Sequence, residues 1–269
     1  TYSCIINNCY LANKNEIDLK KLTRIYDELK LSINKKMQVV EKSISNHEQI
    51  VSGFVSELYA PKNEEDIQFG ERCFYTPYNA NYIDISRQEI DKIVPMEYRD
   101  FFIAPLLSEV SIHANTAGIF KGFYRNSQTK KGQFGGNGKN ALSRIKGKID
   151  LPFPVFSEFE SEFRVFNQAA NALVFEDELY KTNLESDGEE LFDLAYFDPP
   201  YNQHPYGSNY FMLNLVANYE KPSEEKISRV SGIPKDWKRS EYNCHKKVAD
   251  VFLELVENAT DRKAKTENF

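Results

Sequence analysis

Residues 191–201 read Leu-Phe-Asp-Leu-Ala-Tyr-Phe-Asp-Pro-Pro-Tyr, a short apolar and aromatic run that ends on an acid, two prolines and a tyrosine. The composition of residues 191–197 predicts a buried β-strand. Pro199 and Pro200 lack the N–H that a ladder needs and fix φ, so the strand stops there. Ligands of open α/β sheets bind just beyond the carboxyl ends of the strands, which puts Asp198 and Tyr201 at the lip of a site. The Asp198 carboxylate and the Pro199 carbonyl are two acceptors suited to an exocyclic amine. The Tyr201 ring offers a face on which a base taken out of a duplex can stack. By chance, an acid or amide followed by Pro-Pro-aromatic arises about once per hundred chains of this length. The competing reading is a strand that ends in a Pro-Pro turn with a surface tyrosine.

Outward from that segment, the next signal is electrostatic. Residues 110–149 contain no Asp or Glu, while Lys121, Arg125, Lys130, Lys131, Lys139, Arg144, Lys146 and Lys148 supply eight positive charges in a chain whose net charge is −6. So local an excess, against an acidic remainder, is the field expected for a polyanion. Seven of the twelve glycines fall in the same window, with Phe120, Phe123, Tyr124 and Phe134 among them. Such a loop region can track phosphates and wedge against or stack on bases. Lys121, Tyr124, Arg125, Lys130, Lys131, Lys139 and Arg144 are the candidate DNA contacts, with Asn115 and Asn137 beside them. The alternative is a solvated loop whose charges do nothing.

Two motifs inside the window mislead. Gly136-Asn-Gly-Lys-Asn-Ala141 has the spacing of a dinucleotide fingerprint, but it follows Gly132-Gln-Phe-Gly135 rather than an apolar strand, and the fingerprint needs a strand before and a helix after. Gly138-Lys139 is not a phosphate loop, because Asn140 stands where Ser or Thr would hold magnesium. His113 has no carboxylate or Cys at ligand spacing and reads as a satisfied histidine; no metal is expected.

Composition bounds the remainder. With 41% hydrophobic and 13% aromatic residues in 269, the chain can bury one substantial core and a smaller appendage. It has no apolar run near eighteen residues and no signal-peptide pattern, so no membrane partner is expected. Cys4, Cys9, Cys73 and Cys244 follow neither zinc spacing nor a disulfide framework, which fits a reducing, cytoplasmic setting. The first sixty residues read as helical scaffold, with Ile17, Leu22, Ile25 and Leu29 near helical spacing. Residues 61–76 read as a loop with a short strand. Residues 81–94 and 97–113 read as helices, the second bent at Pro105. Residues 151–156 and 163–166 are strand candidates and 168–173 a short helix, while 209–219 and 248–256 are helical.

The quoted residues carry a resemblance. Asp198-Pro199-Pro200-Tyr201 resembles the DPPY catalytic motif of amino-group DNA methyltransferases, and residues 202–214 (Asn-Gln-His-Pro-Tyr-Gly-Ser-Asn-Tyr-Phe-Met-Leu-Asn) resemble its extension in adenine-specific members from restriction–modification systems. Residues 108–126 and 133–145 are similar to the middle of those enzymes, in the same order. The resemblance runs from about residue 71 to 258. It implies an α/β fold: a partial Rossmann-like methyltransferase sheet with a mainly helical, basic DNA-recognition insertion. Residues 1–95 would be a helical scaffold, 96–160 the basic target-recognition region and 161–269 the part of the catalytic domain that carries DPPY.

By the same resemblance, the activity is transfer of a methyl group from S-adenosylmethionine to the exocyclic amino group of adenine in double-stranded DNA, beside a cognate restriction endonuclease. Asp198, Pro199, Pro200 and Tyr201 are the catalytic residues, and Asp198 also faces the cofactor. Members of the family place a Phe-x-Gly-x-Gly loop upstream, and none occurs before residue 100. The expectation is therefore a truncated copy that keeps the recognition region and the base-holding motif but lacks most of the cofactor pocket. The alternatives are a catalytically dead DNA-binding remnant and an amino-methyltransferase acting on cytosine, RNA or a protein amide.

Overall fold

The structure is a computed structural model that describes residues 1–138, 141–176, 179, 194–200 and 202–266. Its helices are α1 (Tyr2–Tyr10), α2 (Leu19–Ser45), α3 (Phe54–Leu58), α4 (Pro77–Ile93), α5 (Arg99–Ile112), α6 (Leu142–Lys146), α7 (Ala170–Leu173), α8 (Tyr206–Asn209), α9 (Phe211–Asn218) and α10 (Val248–Thr266). The chain divides into two compact units, Thr1–Val165 with Ser208–Trp237 and Phe166–Gly207 with Lys238–Phe269.

In the first unit α2 packs on α4, and both α1 and α9 pack on α5. Helix α2 starts at Asp18, whose side chain accepts from the Lys21 N–H at 2.9 Å, the capping interaction that Asp favours at this position. No Gly or Pro interrupts it, and Leu22, Leu29, Ile33, Met37 and Val40 bury one stripe at helical spacing. Thr76 caps α4, accepting from the Asn79 N–H at 3.2 Å, with Pro77 in the first turn where its missing N–H is harmless. Helix α4 is buried nearly all round, and so is α5, which runs on through Pro105. The rings of Tyr59, Phe74, Phe123 and Phe211 form a linked cluster in the core, with centroids 5.2–5.9 Å apart.

Buried polar side chains on α4 tie its neighbours down. Asp84 is fully buried and accepts from the Val55 and Ser56 N–H groups, the Ser56 hydroxyl and the Tyr219 hydroxyl. It thereby caps α3 from another helix. Arg87 donates from Nε to the Val216 carbonyl at 2.8 Å and from its terminal nitrogen to Ala217, closing the C-terminus of α9.

Glu89 is 1% exposed and accepts from Lys36 at 2.5 Å and from the Ser32 hydroxyl. Burial raises its carboxyl, but those two hydrogen bonds outweigh it and hold the group below the usual carboxylate range. A depressed carboxylate contributes stability that is present above the ordinary pKa and lost as pH falls through the folded value. Glu89→Gln is therefore expected to be less stable than wild type near pH 7, with the gap closing in acid. Urea melts from pH 7 to pH 3 check this, and a gap independent of pH would refute it.

The second unit carries α7 and α10. Asn171 accepts from the Tyr242 hydroxyl at 2.6 Å and donates to the Val251 carbonyl at 3.0 Å, while Val174 and Leu255 are buried.

The partial Rossmann-like sheet is overturned. Among the described residues there is no β-strand, only isolated bridges at Asn13–Ser157, Arg125–Gly132 and Ile227–Pro234. Residues 151–156 and 163–166 run without a ladder. Residues 191–193 lie outside the described residues, and 194–200 have no strand pairing. A buried strand exists only beside neighbours that take its N–H and C=O groups and cover its side chains. Here Leu194 is 82% and Tyr196 85% exposed, so the run has the composition of a strand, and among the described residues there is no sheet that would make it one.

Candidate functional site

The acid-proline segment lies in the second unit. Asp198 is exposed and Pro199 and Pro200 are half-buried. Half-buried Phe197, just before them, meets the Phe252 ring of α10 edge-on at 6.3 Å. Downstream, the Asn202 carbonyl accepts from the Asn243 side chain at 2.7 Å. The chain is thus held on either side of the motif, and the carboxylate is left open to solvent. Tyr201 lies outside the described residues.

The basic window belongs to the first unit, where residues 124–133 form a hairpin. Gln133 donates its N–H to the Tyr124 carbonyl at 3.0 Å, Asn126 donates to Lys131 at 2.9 Å, and Lys130 donates back to Asn126 at 3.0 Å. The Asn126 side chain accepts from the Gln128 and Thr129 N–H groups at 3.0 and 2.9 Å. Such an Asx turn fixes the tip. Lys130 sits at φ +59°, and residues 127–130 are exposed.

The base of the hairpin is fastened to the core. Asn115 is fully buried, donates to the Cys73 and Gln133 carbonyls at 2.6 and 2.8 Å, and accepts from the Gly135 N–H at 3.0 Å. Phe123 packs edge-on against Phe74 at 5.2 Å. Arg125 lies over the Phe123 ring at 4.6 Å and donates to the Val230 carbonyl at 3.1 Å. A side chain at Gly132 would bring a Cβ within 2.8 Å of the Cys73 Cβ; only glycine lets the chain pass so close to the core.

The expected contacts therefore sort by environment. Lys121 and Lys130 are exposed, and Tyr124 and Lys131 are half-buried along the hairpin. Lys139 lies outside the described residues. Arg144 donates to the Ile112 carbonyl and, at 3.0 Å, to the Ala114 carbonyl; it closes the C-terminus of α5 as well as carrying charge. Lys146 and Lys148 pair with Glu64 and Glu41 at 3.4 and 2.6 Å. Asn137 is exposed, whereas Asn115 holds the hairpin from inside. Both nitrogens of the His113 ring have partners, the Arg144 carbonyl at 2.7 Å and Glu109 at 3.2 Å; the expectation of no carboxylate in reach is corrected, since Glu109 lies one helical turn before it.

Other chemistries find no support among the described residues. Burial pushes the Cys9 thiol up to about 12, with the Asp100 charge adding to it, and burial likewise raises Cys73; both stay protonated and inert. No three His, Cys, Asp or Glu side chains converge as a metal site. No helix is long and apolar enough to cross a membrane.

Reading by charge also missed an acidic loop, residues 62–71, that faces the hairpin. Its Glu71 carboxylate accepts from the Lys62 and Gln68 N–H groups at 3.1 and 2.7 Å and fixes its shape. The loop precedes the acid-free window by some forty residues in sequence. Its run Asn63-Glu-Glu-Asp66 is the only local signal of it.

The family model described as D12 class N6 adenine-specific DNA methyltransferase matches residues 32–267. The type II methyltransferase M.CviAII of Paramecium bursaria Chlorella virus 1 is 27% identical over 97% of this chain and 70% of its own length. M.NlaIII of Neisseria lactamica is 27% identical over 70% of this chain and 49% of its own. M.FokI of Planomicrobium okeanokoites is 24% identical over 94% of this chain and 34% of its own. The chain thus spans about two thirds of the first relative and half or less of the other two. No solved structure matches it.

Proposed function

This chain belongs to the D12 class of N6 adenine-specific DNA methyltransferases, and from that premise we propose that it works on duplex DNA within a restriction–modification system, holding an everted adenine at residues 198–201 while the window 110–149 holds the duplex. The observation that carries the reading is the pairing of an exposed Asp-Pro-Pro acceptor corner with a rigid, basic hairpin in one chain of this family.

S-adenosylmethionine, the general donor of such enzymes, would supply an electrophilic methyl group. Asp198 is the residue of this chain that would face it. The Asp198 carboxylate and the Pro199 carbonyl accept the two amine hydrogens, and Tyr201 stacks on the ring. In a free base the amine lone pair is delocalised into the ring. Two fixed acceptors favour a more tetrahedral nitrogen with its lone pair free, and they stabilise the positive charge that develops on it. Proton loss follows bond formation, because the nitrogen becomes acidic only when alkylated; positioning therefore outranks general-base work for Asp198.

Incubation with labelled methyl donor and mixed-sequence duplex, followed by digestion to nucleosides, tests the reading. The expected product is N6-methyladenine. Label on cytosine would make the chain a cytosine amino-methyltransferase, and binding without transfer would make it a DNA-binding remnant. For the duplex side, Lys130→Gln, Lys131→Gln and Lys139→Gln together are expected to flatten the dependence of log affinity on log salt by up to about 2.7, for three phosphate contacts at about 0.9 each. An unchanged slope would remove the window from the interface.

A further inference from the structure

A second hairpin in the first unit touches the one at residues 124–133. The Ser228 N–H donates to the Ile233 carbonyl at 2.8 Å and the Lys235 N–H to the Lys226 carbonyl at 2.7 Å, with a bridge between Ile227 and Pro234. Gly232 closes the turn at φ +72°, where a Cβ would lie 2.6 Å from Tyr59 Cε1. Only glycine meets both demands.

Side chains of the first unit take four backbone carbonyls of this turn. Arg72 donates to those of Ser228 and Arg229, both at 3.3 Å, and the Tyr59 hydroxyl donates to that of Gly232 at 2.9 Å. Arg125, itself stacked on Phe123, donates to that of Val230 at 3.1 Å. The turn is thus clamped from the buried Tyr59 on one side and from the first hairpin on the other. Arg229 and Val230 are left exposed. The Arg229 guanidinium is the only charge from Ile227 to Pro234 and forms no ion pair among the described residues.

We infer that this turn is a second duplex contact, in which Arg229 donates to a backbone phosphate and Arg125 is the residue that positions it. A guanidinium presents paired N–H donors that match two phosphate oxygens. A turn already fixed loses little conformational entropy when the contact forms. The Arg125 bond joins the turn to the hairpin at 124–133, so a duplex held by the hairpin meets the turn as well. Phosphate contacts fix register and orientation and carry no sequence information; the role assigned to the turn is to seat the duplex, not to choose its sequence. The inference rests on the proposed action on duplex DNA.

The experiment is duplex binding across a salt series for the full chain. Its variants are Arg229→Gln, Arg229→Lys, Arg229→Gln with Arg125→Gln, and the Lys130, Lys131 and Lys139 triple substitution, each shown to be folded by thermal melts. Arg229→Gln is expected to flatten the dependence of log affinity on log salt by about 0.9, so that its affinity relative to wild type changes about 3.5-fold between about 50 and 200 mM salt. The loss should be equal on every duplex sequence. Arg229→Lys, which keeps the charge, should hold the wild-type slope. Adding Arg125→Gln should flatten the slope no further, because Arg125 acts through the turn.

A wild-type slope in Arg229→Gln would overturn the inference. So would a loss confined to some sequences, the mark of a base contact, or an equal loss in Arg229→Lys, the mark of stacking. A flattening of about 1.8 in the double variant would make Arg125 a phosphate contact of its own and overturn its positioning role. If the triple lysine variant flattens the slope and Arg229→Gln does not, the turn alone is excluded. If wild type binds no duplex, the action on DNA fails first and the contact falls with it.

Discussion

Asp198→Ala is expected to lower methyl transfer to adenine by about 10²–10³-fold while leaving duplex affinity near wild type. The basis is the size of a single fixed acceptor or donor aimed at developing charge, about 2.7–4 kcal/mol when removed. Asp198 is exposed, and its carboxylate holds no hydrogen bond or ion pair among the described residues, so truncating it removes chemistry without unfolding the second unit. The amine would keep only the Pro199 carbonyl and relax toward the planar, delocalised form in which its lone pair is not nucleophilic.

Asp198→Asn sharpens the test. It keeps one carbonyl acceptor for an amine hydrogen but loses the negative charge, so its activity should lie between that of wild type and that of Asp198→Ala. Single-turnover assays with labelled donor, run beside duplex binding at fixed salt, separate the two functions. Turnover within tenfold of wild type would rule out the base-holding role. A parallel loss of duplex binding would show that the carboxylate shapes the DNA surface instead.

Legibility in the sequence follows the range of the interaction responsible. The α2 stripe is a local pattern and is readable directly, and so are the apolar helices through residues 81–94 and 97–113. The start of α4 at Pro77 is also encoded locally, in Thr76-Pro77, and lies four residues ahead of the boundary that periodicity gives. What is not local is hidden. Asn115 reads as a polar residue in a basic loop, yet it is fully buried because its amide meets groups at residues 73, 133 and 135. Arg144 reads as charge, yet it also caps α5 from thirty residues away.

The strand at residues 191–197 is the instructive failure. Its composition is that of a buried strand, but strand formation belongs to a sheet, and no strand among the described residues pairs with it. The candidate site is legible in part for the same reason. Asp198 and the lysines announce themselves by residue type. Glu65 and Asp66 lie opposite the hairpin only through the fold, so nothing local in the sequence announces that placement.

Asp84 carries the largest expected effect on stability, because four donors converge on one buried carboxylate. The Ser56 N–H and hydroxyl lie at 2.8 and 2.7 Å, the Tyr219 hydroxyl at 2.8 Å and the Val55 N–H at 3.1 Å. Burial pushes the carboxyl up, and these hydrogen bonds from Ser56, Tyr219 and Val55 oppose the shift. Asp84→Ala strands three donors where water does not replace the acceptor and leaves the Ser56 hydroxyl only the Gly53 carbonyl at 3.0 Å. An unmade buried hydrogen bond costs about 1–3 kcal/mol, and such terms do not add fully. The expected loss is therefore about 3–5 kcal/mol, a large share of the total for an ordinary domain.

The damage should reach α3 and α9 together. The Val55 and Ser56 amides are the first-turn donors of α3, and Tyr219, at φ +53°, ends α9 and also accepts from Gln88 at 3.0 Å. Tyr219→Phe removes one donor and should cost about 1 kcal/mol. Asp84→Asn retains one acceptor oxygen and should fall between the two. Urea melts of the three variants, with hydrogen exchange at residues 54–58 and 211–218, give the comparison. An Asp84→Ala loss below about 1 kcal/mol would mean that the four donors find other partners, and that the carboxylate is not what joins α3 to the end of α9.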